Sequence, residues 1–171
     1  MNEILITQEQ IAERVAQIGS QITKDYAGKK PLLVGVLNGC VFFMTDLARA
    51  IDLPCELAFM QVSSYGNAAK TSGAVRILAD LSCDIAGRDV IIVEDIVDSG
   101  LTLAYLLEQL NARRPASLKV CSLLDKPTRR RTDIEIDYLG FTVPDAFIVG
   151  YGLDYAGQWR NLPYIAVMDQ T

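Results

Sequence analysis

The stretch of sequence that decides the fold reads Val90-Ile91-Ile92-Val93-Glu94-Asp95-Ile96-Val97-Asp98-Ser99-Gly100-Leu101-Thr102. It opens with four apolar residues without polar alternation, a pattern that predicts a strand buried on both faces of a parallel sheet. Two adjacent carboxylates, Glu94 and Asp95, follow, and a short loop then leads into a helix that begins near Leu101. Ligands of open α/β sheets bind beyond the carboxyl ends of the strands, so the sequence predicts a binding site here.

On both sides of this stretch, apolar runs of strand length alternate with segments of helical periodicity. The first helix is predicted to start behind the capping box of Thr7 and Gln10 and to end before Gly28 and Pro31. The other predicted elements are strands at 4–6, 32–37, 56–62, 74–78 and 118–124, helices at 41–51 and 101–111, and a loop at 63–73. Alternating strands and helices predict an open, mostly parallel sheet flanked by helices.

The last third of the chain follows a different pattern. Apolar residues alternate at Ile134, Ile136 and Tyr138, and short apolar runs occupy 146–149 and 164–168. Alternation and short apolar runs are typical of strands rather than helices. These residues therefore predict a small β-rich appendage, which we expect to pair with the N-terminal strand.

Composition and charge restrict the classes of partner. The chain has 171 residues, half of them apolar, which is enough for one domain with a sizeable core. A net charge of -5 disfavours nucleic-acid binding, and the arginines at 129–131 are interpreted as a solvated turn or part of an oligomer interface. The apolar stretch 31–44 is interrupted by Asn38 and is too short to span a membrane. We expect neither nucleic acid nor membrane as a partner.

The chain contains no histidine, which excludes His-ligated zinc and both Ser-His-Asp and Cys-His catalysis. A general acid or base must then be Asp, Glu, Lys, Tyr or Cys. The four cysteines are scattered without a CxxC pair, and the N-terminal residues lack the basic region of a secretory signal. We therefore expect reduced thiols and a cytoplasmic protein.

The loop from Asp98 to Thr102, called the phosphate loop below, offers two hydroxyls and free backbone N–H groups at a helix N-terminus. Such a terminus favours an anion, and Gly100 lets the backbone approach it closely. Glu94 and Asp95 could accept hydrogen bonds from a vicinal diol, so the segment predicts a ribose-5-phosphate site. The alternative is an ordinary turn with solvated carboxylates, but three acids beside an apolar strand are costly without a partner.

This segment resembles the phosphoribosyl pyrophosphate (PRPP) motif of the type I phosphoribosyltransferases, in the form typical of hypoxanthine-guanine enzymes. The resemblance extends in order over nearly the whole chain. It implies one domain over residues 1–171, with a core at about 8–126 and a small β-rich hood from 1–7 and 127–171. It also implies magnesium-dependent transfer of the 5-phosphoribosyl group from PRPP to hypoxanthine or guanine, as in purine salvage. The products are IMP or GMP and pyrophosphate.

The resemblance assigns the 5-phosphate to the phosphate loop, namely Asp98, Ser99, Gly100, Leu101 and Thr102. It places Glu94 and Asp95 on the ribose hydroxyls, directly or through the metal shell. Asp98 is implied as the general base near purine N7. An unperturbed Asp has a pKa of about 3.9, so burial or nearby phosphate charge would have to raise the pKa for efficient proton transfer.

The pyrophosphate loop of the family matches Leu37, Asn38 and Gly39 at the end of the first buried strand. Asn38 stands where the family commonly has Lys or Arg, so backbone amides are expected to bind the pyrophosphate, often beside a non-proline cis peptide. The resemblance also assigns a pyrophosphate contact to Arg160. A simple Asn-Gly turn is the alternative interpretation of these loop residues.

Two further segments match the family. The mobile catalytic loop is expected to begin with Ser63, Ser64, Tyr65 and Gly66. The purine subsite matches Lys126, Phe147, Ile148, Val149 and Asp154. The Lys126 ammonium only donates hydrogen bonds, so it favours a carbonyl over the amino group of adenine, and Phe147 would stack on the base. Asp154 is the first candidate for a Mg²⁺ ligand, with Glu94 and Asp95 as the others.

The implied partners are PRPP, a 6-oxopurine and further copies of the chain, since the family forms dimers and tetramers. Two other functions stay open on the sequence. One is a phosphoribosyltransferase for xanthine, adenine or uracil, because the matched residues separate guanine from xanthine weakly. The other is a non-catalytic regulator that keeps the PRPP site as a sensor.

Overall fold

The computed structural model describes residues 3–64 and 75–169, in which strands and helices alternate along most of the chain. The helices are α1 (Gln8–Asp25), α2 (Val41–Ala50) and α3 (Leu101–Asn111). The strands are β1 (Glu3–Ile6), β2 (Leu32–Leu37), β3 (Glu56–Ser64), β4 (Val75–Ala79), β5 (Asp89–Val97), β6 (Ser117–Asp125), β7 (Tyr138–Thr142), β8 (Ile148–Val149) and β9 (Ile165–Val167).

The main sheet has six strands in the order β4-β3-β2-β5-β6-β7. All neighbouring strands are parallel except β4, which runs antiparallel to β3. The strand order reverses direction along the sheet at β2 and β5, so a crevice is expected beyond their carboxyl ends. The predicted α/β class and mostly parallel sheet are confirmed.

Helices cover both faces of this sheet. On one face, Ile91 and Val93 of β5 belong to the apolar core that includes residues of α1 and α2. On the other face, Val90 and Ile92 belong to the core that includes α3. The continuous apolar run in β5 is therefore explained, because alternate side chains are buried on opposite faces.

The first helix begins as its capping box predicts. The Thr7 side chain accepts a hydrogen bond from the backbone N–H of Gln10 at 3.2 Å, and the Gln10 side chain accepts one from the backbone N–H of Thr7 at 2.8 Å. Two backbone donors that a helix N-terminus would otherwise leave unsatisfied are thus paired.

A second, three-stranded sheet has the antiparallel order β1-β9-β8 and is called the hood sheet below. Its register places Glu3 opposite Val167 and Ile148 opposite Val167 on the other side. The N-terminal strand therefore pairs with the C-terminal segment, as the sequence predicted.

Three boundaries differ from the sequence prediction. The strand β5 does not end before Glu94 but continues to Val97, because its pairing with β6 extends through Ile96. The strand β3 continues to Ser64, since Ser63 and Ser64 pair with β4. Finally, β7 lies in the main sheet beside β6 rather than in the hood sheet, so the segment 127–171 is not wholly part of the hood.

Within the part of the chain that the structure describes, no helix is both long enough and apolar enough to cross a membrane. The four cysteines are all free, and Cys40 and Cys121 are buried in the core.

Candidate active site

The phosphate loop connects β5 to α3, as the sequence predicted. Gly100 caps the helix with a left-handed φ of +83°, a conformation that favours glycine. A Cβ at this position would lie 2.3 Å from the Thr132 hydroxyl, so a side chain has no room. The Ser99 hydroxyl accepts a hydrogen bond from the N–H of Leu101 at 3.3 Å. The other backbone N–H groups of the first helical turn have no intrahelical partner, so this end can receive an anion.

Residues 130–131, which follow β6, contact the backbone of the phosphate loop. The Arg130 side chain forms an ion pair with Asp125 and is only 19% exposed. The N–H of Arg131 donates to the carbonyl of Ser99 at 2.8 Å. The interpretation of 129–131 as a solvated turn is therefore wrong for Arg130. Its guanidinium pairs with Asp125 at the end of β6 and lies against the backbone of the phosphate loop at Asp98.

The two carboxylates of β5 line a cavity of about 260 Å³ together with the phosphate loop. Glu94 is only 7% exposed. Burial and the neighbouring charge of Asp95 raise the pKa of Glu94 well above its usual value. Burial raises the pKa of Asp95 to about 6, although the hydrogen bond from the Ile96 N–H and the nearby Arg160 guanidinium partly offset it. Two acids with raised pKa values in a polar cavity indicate a site built for a ligand.

Asp95→Asn is expected to make the ligand-free protein more stable at pH 7.5, by up to about 3 kcal/mol. The pKa of Asp95 in the folded protein lies above its value in the unfolded chain. Protonated Asp95 therefore contributes fully to the free energy of unfolding below about pH 4, and this contribution is lost as the pH rises through about 6. An asparagine does not ionise, and its amide oxygen can still accept from Ile96. Urea unfolding with EDTA at pH 4.5 and pH 7.5 gives the free energy of unfolding of the variant and the wild type. A stability difference between the two proteins that is equal at both pH values would contradict the prediction. Weaker PRPP binding is expected alongside the gain.

The pyrophosphate loop lies directly against these carboxylates. The Leu37–Asn38 peptide bond is cis, as the resemblance implied. A Cβ at Gly39 would lie 1.7 Å from a carboxylate oxygen of Asp95, so any larger residue would displace that side chain. The next residue, Cys40, is fully buried, and burial together with the charges of Asp95 and Glu94 raises the pKa of its thiol to about 12. This thiol stays protonated and is a poor nucleophile.

A turn after β8 packs onto the pyrophosphate loop. We call residues Gly150–Asp154 the hood turn. A Cβ at Gly152 would lie 2.0 Å from the carbonyl oxygen of Gly39, so the two backbones are in direct contact. Arg160 donates a hydrogen bond to the carbonyl of Gly152 and forms an ion pair with Asp154 at 3.1 Å. The two residues that the sequence assigned to pyrophosphate and metal are therefore neighbours at this loop.

The predicted purine residues line a second cavity of about 530 Å³. Lys126 is only 7% exposed, and its ammonium donates to the carbonyl of Ala146 at 3.0 Å, so it is not a solvated surface lysine. Phe147 lies in this cavity with its ring edge-to-face against Tyr155, at 5.4 Å between centroids. Ile148 contributes to the cavity wall, and Val149 is buried beside it in β8.

Asp98 lines both cavities and marks their junction. One of its carboxylate oxygens is buried and accepts no hydrogen bond from the described part of the chain. The Nε of Arg129 lies 4.0 Å from that oxygen and binds Asp145 more closely, at 2.8 Å. A buried acceptor without a partner is costly, so this oxygen is arranged to meet a group supplied by a ligand.

The expected mobile loop is placed only in part. Ser63 and Ser64 form the end of β3, and Val62 just before them contributes to the wall of the 260 Å³ cavity. The strand therefore leads toward the site. Tyr65 and Gly66 lie outside the described residues.

Two contributors to the site were not assigned from the sequence. Arg129 lies between Asp98 and Asp145, and Arg130 supports the phosphate loop through Asp125. The run of three arginines was the available signal. Its meaning depends on which carboxylates it meets across the fold, and the local sequence does not contain that information.

Comparison with known proteins agrees with this geometry. The family described as phosphoribosyl transferase domain matches residues 2–156. The chain is 51% identical over 168 residues to the hypoxanthine-guanine phosphoribosyltransferase of Bacillus subtilis, covering 98% of this chain and 93% of that protein. It is 52% identical to the Mycobacterium tuberculosis H37Rv protein of the same name, covering 99% and 87%.

The fold is also similar to that of a solved relative. The crystal structure of a hypoxanthine phosphoribosyltransferase from Staphylococcus aureus superimposes with a TM-score of 0.96 at 46% identity, covering 99% of this chain and 92% of that one. A match of the family over most of the chain, relatives at about half identity and the same fold agree with one another. The chain belongs to the phosphoribosyltransferase family.

Proposed function

We propose that this protein transfers the 5-phosphoribosyl group of PRPP to hypoxanthine or guanine and so salvages purines as IMP or GMP. The observation that carries the proposal is the position of Asp98 between two cavities. One cavity contains the anion-accepting phosphate loop, and the other contains a buried ammonium and an aromatic ring. A carboxylate at their junction lies where a phosphosugar and a purine would meet.

The PRPP side of the site divides into three contacts. The 5-phosphate binds the N–H groups and hydroxyls of the phosphate loop, from Asp98 to Thr102. Glu94 and Asp95 hold the ribose hydroxyls from the floor of the same cavity. The pyrophosphate binds the loop 37–39 and the Arg160 guanidinium, which lies close enough to influence the charge of Asp95.

The purine side fixes the base by its edge and its face. The Lys126 ammonium already donates to a carbonyl in the cavity wall, and it offers a donor to the 6-oxo group of the base. Phe147 stacks on the ring, while the backbone of Ile148 and Val149 meets the purine edge. An adenine amino group facing this ammonium would leave two donors opposed, so oxopurines are preferred.

In the reaction, the bond from the anomeric carbon to pyrophosphate breaks ahead of bond formation to purine N9. The electron pair of the broken bond leaves with pyrophosphate, and N9 donates the pair of the new bond. Asp98 takes the proton that the purine loses near N7, using the carboxylate oxygen that accepts no hydrogen bond from the described residues.

The residues present fit a magnesium ion that enters with its substrate. Within residues 3–64 and 75–169, no cluster of three or more Cys, Asp or Glu side chains could hold a metal by itself. Mg²⁺ is commonly bound by one or two carboxylates together with substrate phosphates. Asp154 is the first candidate ligand, with Glu94 and Asp95 nearby. When bound, the ion neutralises the departing pyrophosphate.

Product formation tests the proposed function directly. The protein is mixed with PRPP and hypoxanthine, and IMP is separated by chromatography, with MgCl₂ in one series and EDTA in a parallel one. We expect IMP with magnesium and almost none with EDTA, because the leaving pyrophosphate then keeps its full charge. Calorimetric binding of PRPP without any product would contradict the transferase and favour the PRPP-sensing regulator.

We also propose that the chain self-associates in the cytoplasm. Large apolar side chains are exposed on neighbouring elements at one edge of the main sheet: Phe42 on α2, Leu57 and Phe59 on β3, and Leu78 on β4. Covering such side chains with a second copy would remove them from water. Multi-angle light scattering measures the mass, and a monomer of 18.8 kDa at assay concentration contradicts the proposal.

A further inference from the structure

A partly buried hydrogen bond joins the hood turn to α2. The Tyr151 hydroxyl donates to a carboxylate oxygen of Asp46 at 2.5 Å, and Tyr151 is only 7% exposed. Asp46 lies in α2, the helix that starts immediately after the pyrophosphate loop. Burial and the Asp46 acceptor both raise the pKa of the phenol, so it remains a donor at any pH of interest. The bond therefore joins two segments that are more than a hundred residues apart.

The backbone at Tyr151 shows that this arrangement is held by its surroundings. Tyr151 has a φ of +48°, in the left-handed region that bulky residues rarely adopt, and it lies between Gly150 and Gly152, both at +105°. Its N–H donates to the carbonyl of Leu162, and the N–H of Gly152 donates to that of Arg160. An uncommon conformation that persists between two such contacts indicates that the exact position of the turn matters.

We propose that Asp46 and Tyr151 are positioning residues that hold the hood turn against the pyrophosphate loop. The inference rests on the proposed function, which places pyrophosphate between that loop and Arg160. Gly152, next to Tyr151, contacts the Gly39 carbonyl, and it also accepts the hydrogen bond of Arg160. Loss of the Tyr151 hydroxyl would loosen the turn that carries Asp154 and anchors Arg160.

The purine side of the hood is anchored separately. Ile148 and Val149 pair with Val167 and Ala166 of β9, and this pairing does not involve Tyr151. The Lys126 ammonium donates a hydrogen bond to the carbonyl of Ala146, which precedes β8. Leu153 and Asp154 of the hood turn also line the purine cavity, but Lys126 and β8 are held outside the turn. Loosening the hood turn should therefore weaken pyrophosphate binding more than purine binding.

The chain offers a matched control for this bond. The Tyr138 hydroxyl donates to a carboxylate oxygen of Asp25 at 2.6 Å, and Tyr138 is only 3% exposed. This pair joins β7 to the end of α1, and neither residue lines the phosphate or the purine cavity. Tyr138→Phe removes the same kind of partly buried hydrogen bond, so it measures what the loss of any such tyrosine–aspartate bond does.

The experiment compares the affinity of magnesium pyrophosphate, measured by calorimetry, in the wild type, Tyr151→Phe and Tyr138→Phe. We expect Tyr151→Phe to raise the dissociation constant about tenfold, as for a lost hydrogen bond to a charged group, and Tyr138→Phe to leave it unchanged. The affinity for IMP should stay within about twofold in both variants. Equal pyrophosphate affinities in Tyr151→Phe and the wild type, or an equal loss of IMP affinity, would overturn the proposal.

A second pair of variants tests the acceptor. Asp46→Ala removes it and should reproduce the tenfold loss, whereas Asp46→Asn retains a carbonyl oxygen and should recover most of the affinity. In the double variant Tyr151→Phe/Asp46→Ala the two losses should not add, because both remove one bond. Additive losses would contradict a shared role. Pyrophosphate binding can be measured without turnover. If the wild type is inactive but binds pyrophosphate, the proposed function is refuted and the variants still test this inference. If the wild type binds no pyrophosphate, both are refuted.

Discussion

Asp98→Asn is expected to lower kcat by about 10²- to 10⁴-fold, the usual contribution of a general base, while PRPP affinity changes little. An asparagine has nearly the shape of aspartate and retains an oxygen that accepts hydrogen bonds, but it cannot take up a proton. Asp98 lies at the junction of the two cavities, and one of its oxygens is buried and accepts no hydrogen bond from residues 3–64 and 75–169. That oxygen is free for the proton that the purine releases.

Single-turnover kinetics give the rate of chemistry, and calorimetry gives PRPP affinity for the same preparations. Asp145→Asn is the matched control, because Asp145 also faces the purine cavity and binds the same arginine, Arg129. It should change kcat by less than about threefold, since it makes no contact with the phosphate cavity. If Asp98→Asn lost kcat and PRPP affinity equally, Asp98 would be a structural residue of the loop.

Gly39→Ala is expected to weaken PRPP binding by about 10²-fold or more, because the pyrophosphate loop and Asp95 cannot both keep their positions. The added methyl group would lie 1.7 Å from one Asp95 oxygen. The overlap involves the end of a side chain rather than backbone, so Asp95 can turn away and the fold survives. The carboxylate that faces the ribose is then misplaced, and binding suffers more than stability.

Gly28→Ala separates this effect from the general cost of losing a glycine. Gly28 has a φ of +76° after α1, with open space where the Cβ would lie, far along the chain from the phosphate loop. This variant should lose about 1 kcal/mol of stability and no PRPP affinity. Thermal unfolding and PRPP titration of both variants provide the comparison. Unchanged PRPP affinity in Gly39→Ala would show that the loop and Asp95 are not held together as described.

The sequence predicted those parts of the fold that depend on local pattern. The apolar run of β5 and the capping box at Thr7 specify their elements without distant partners. The end of β5 could not be predicted, because Glu94 and Asp95 interrupt the apolar run, and the strand continues through the pairing of Glu94, Ile96 and Val97 with β6. The assignment of β7 to the appendage was wrong because alternating apolar residues predict a strand but do not reveal which strand it pairs with.

In the candidate site, too, the local features could be predicted from the sequence and the long-range contacts could not. The phosphate loop could be predicted from the sequence, because its hydroxyls and free N–H groups come from five consecutive residues at a helix N-terminus. The contact of Gly152 with Gly39 and the bond of Tyr151 to Asp46 join residues about a hundred positions apart. No spacing in the sequence encodes such contacts. They appear only when the hood turn is folded onto the pyrophosphate loop.

The most direct test of the central claim is nucleotide formation from PRPP and Mg²⁺ with hypoxanthine, guanine, xanthine, adenine and uracil supplied separately. We predict turnover with hypoxanthine and guanine. With adenine and uracil, kcat/KM should be lower by about 10²-fold or more, because Lys126 offers only donors to the base. Comparable turnover of adenine would contradict the roles of Lys126 and Phe147. Absence of product with every base, despite PRPP binding, would contradict a phosphoribosyltransferase altogether.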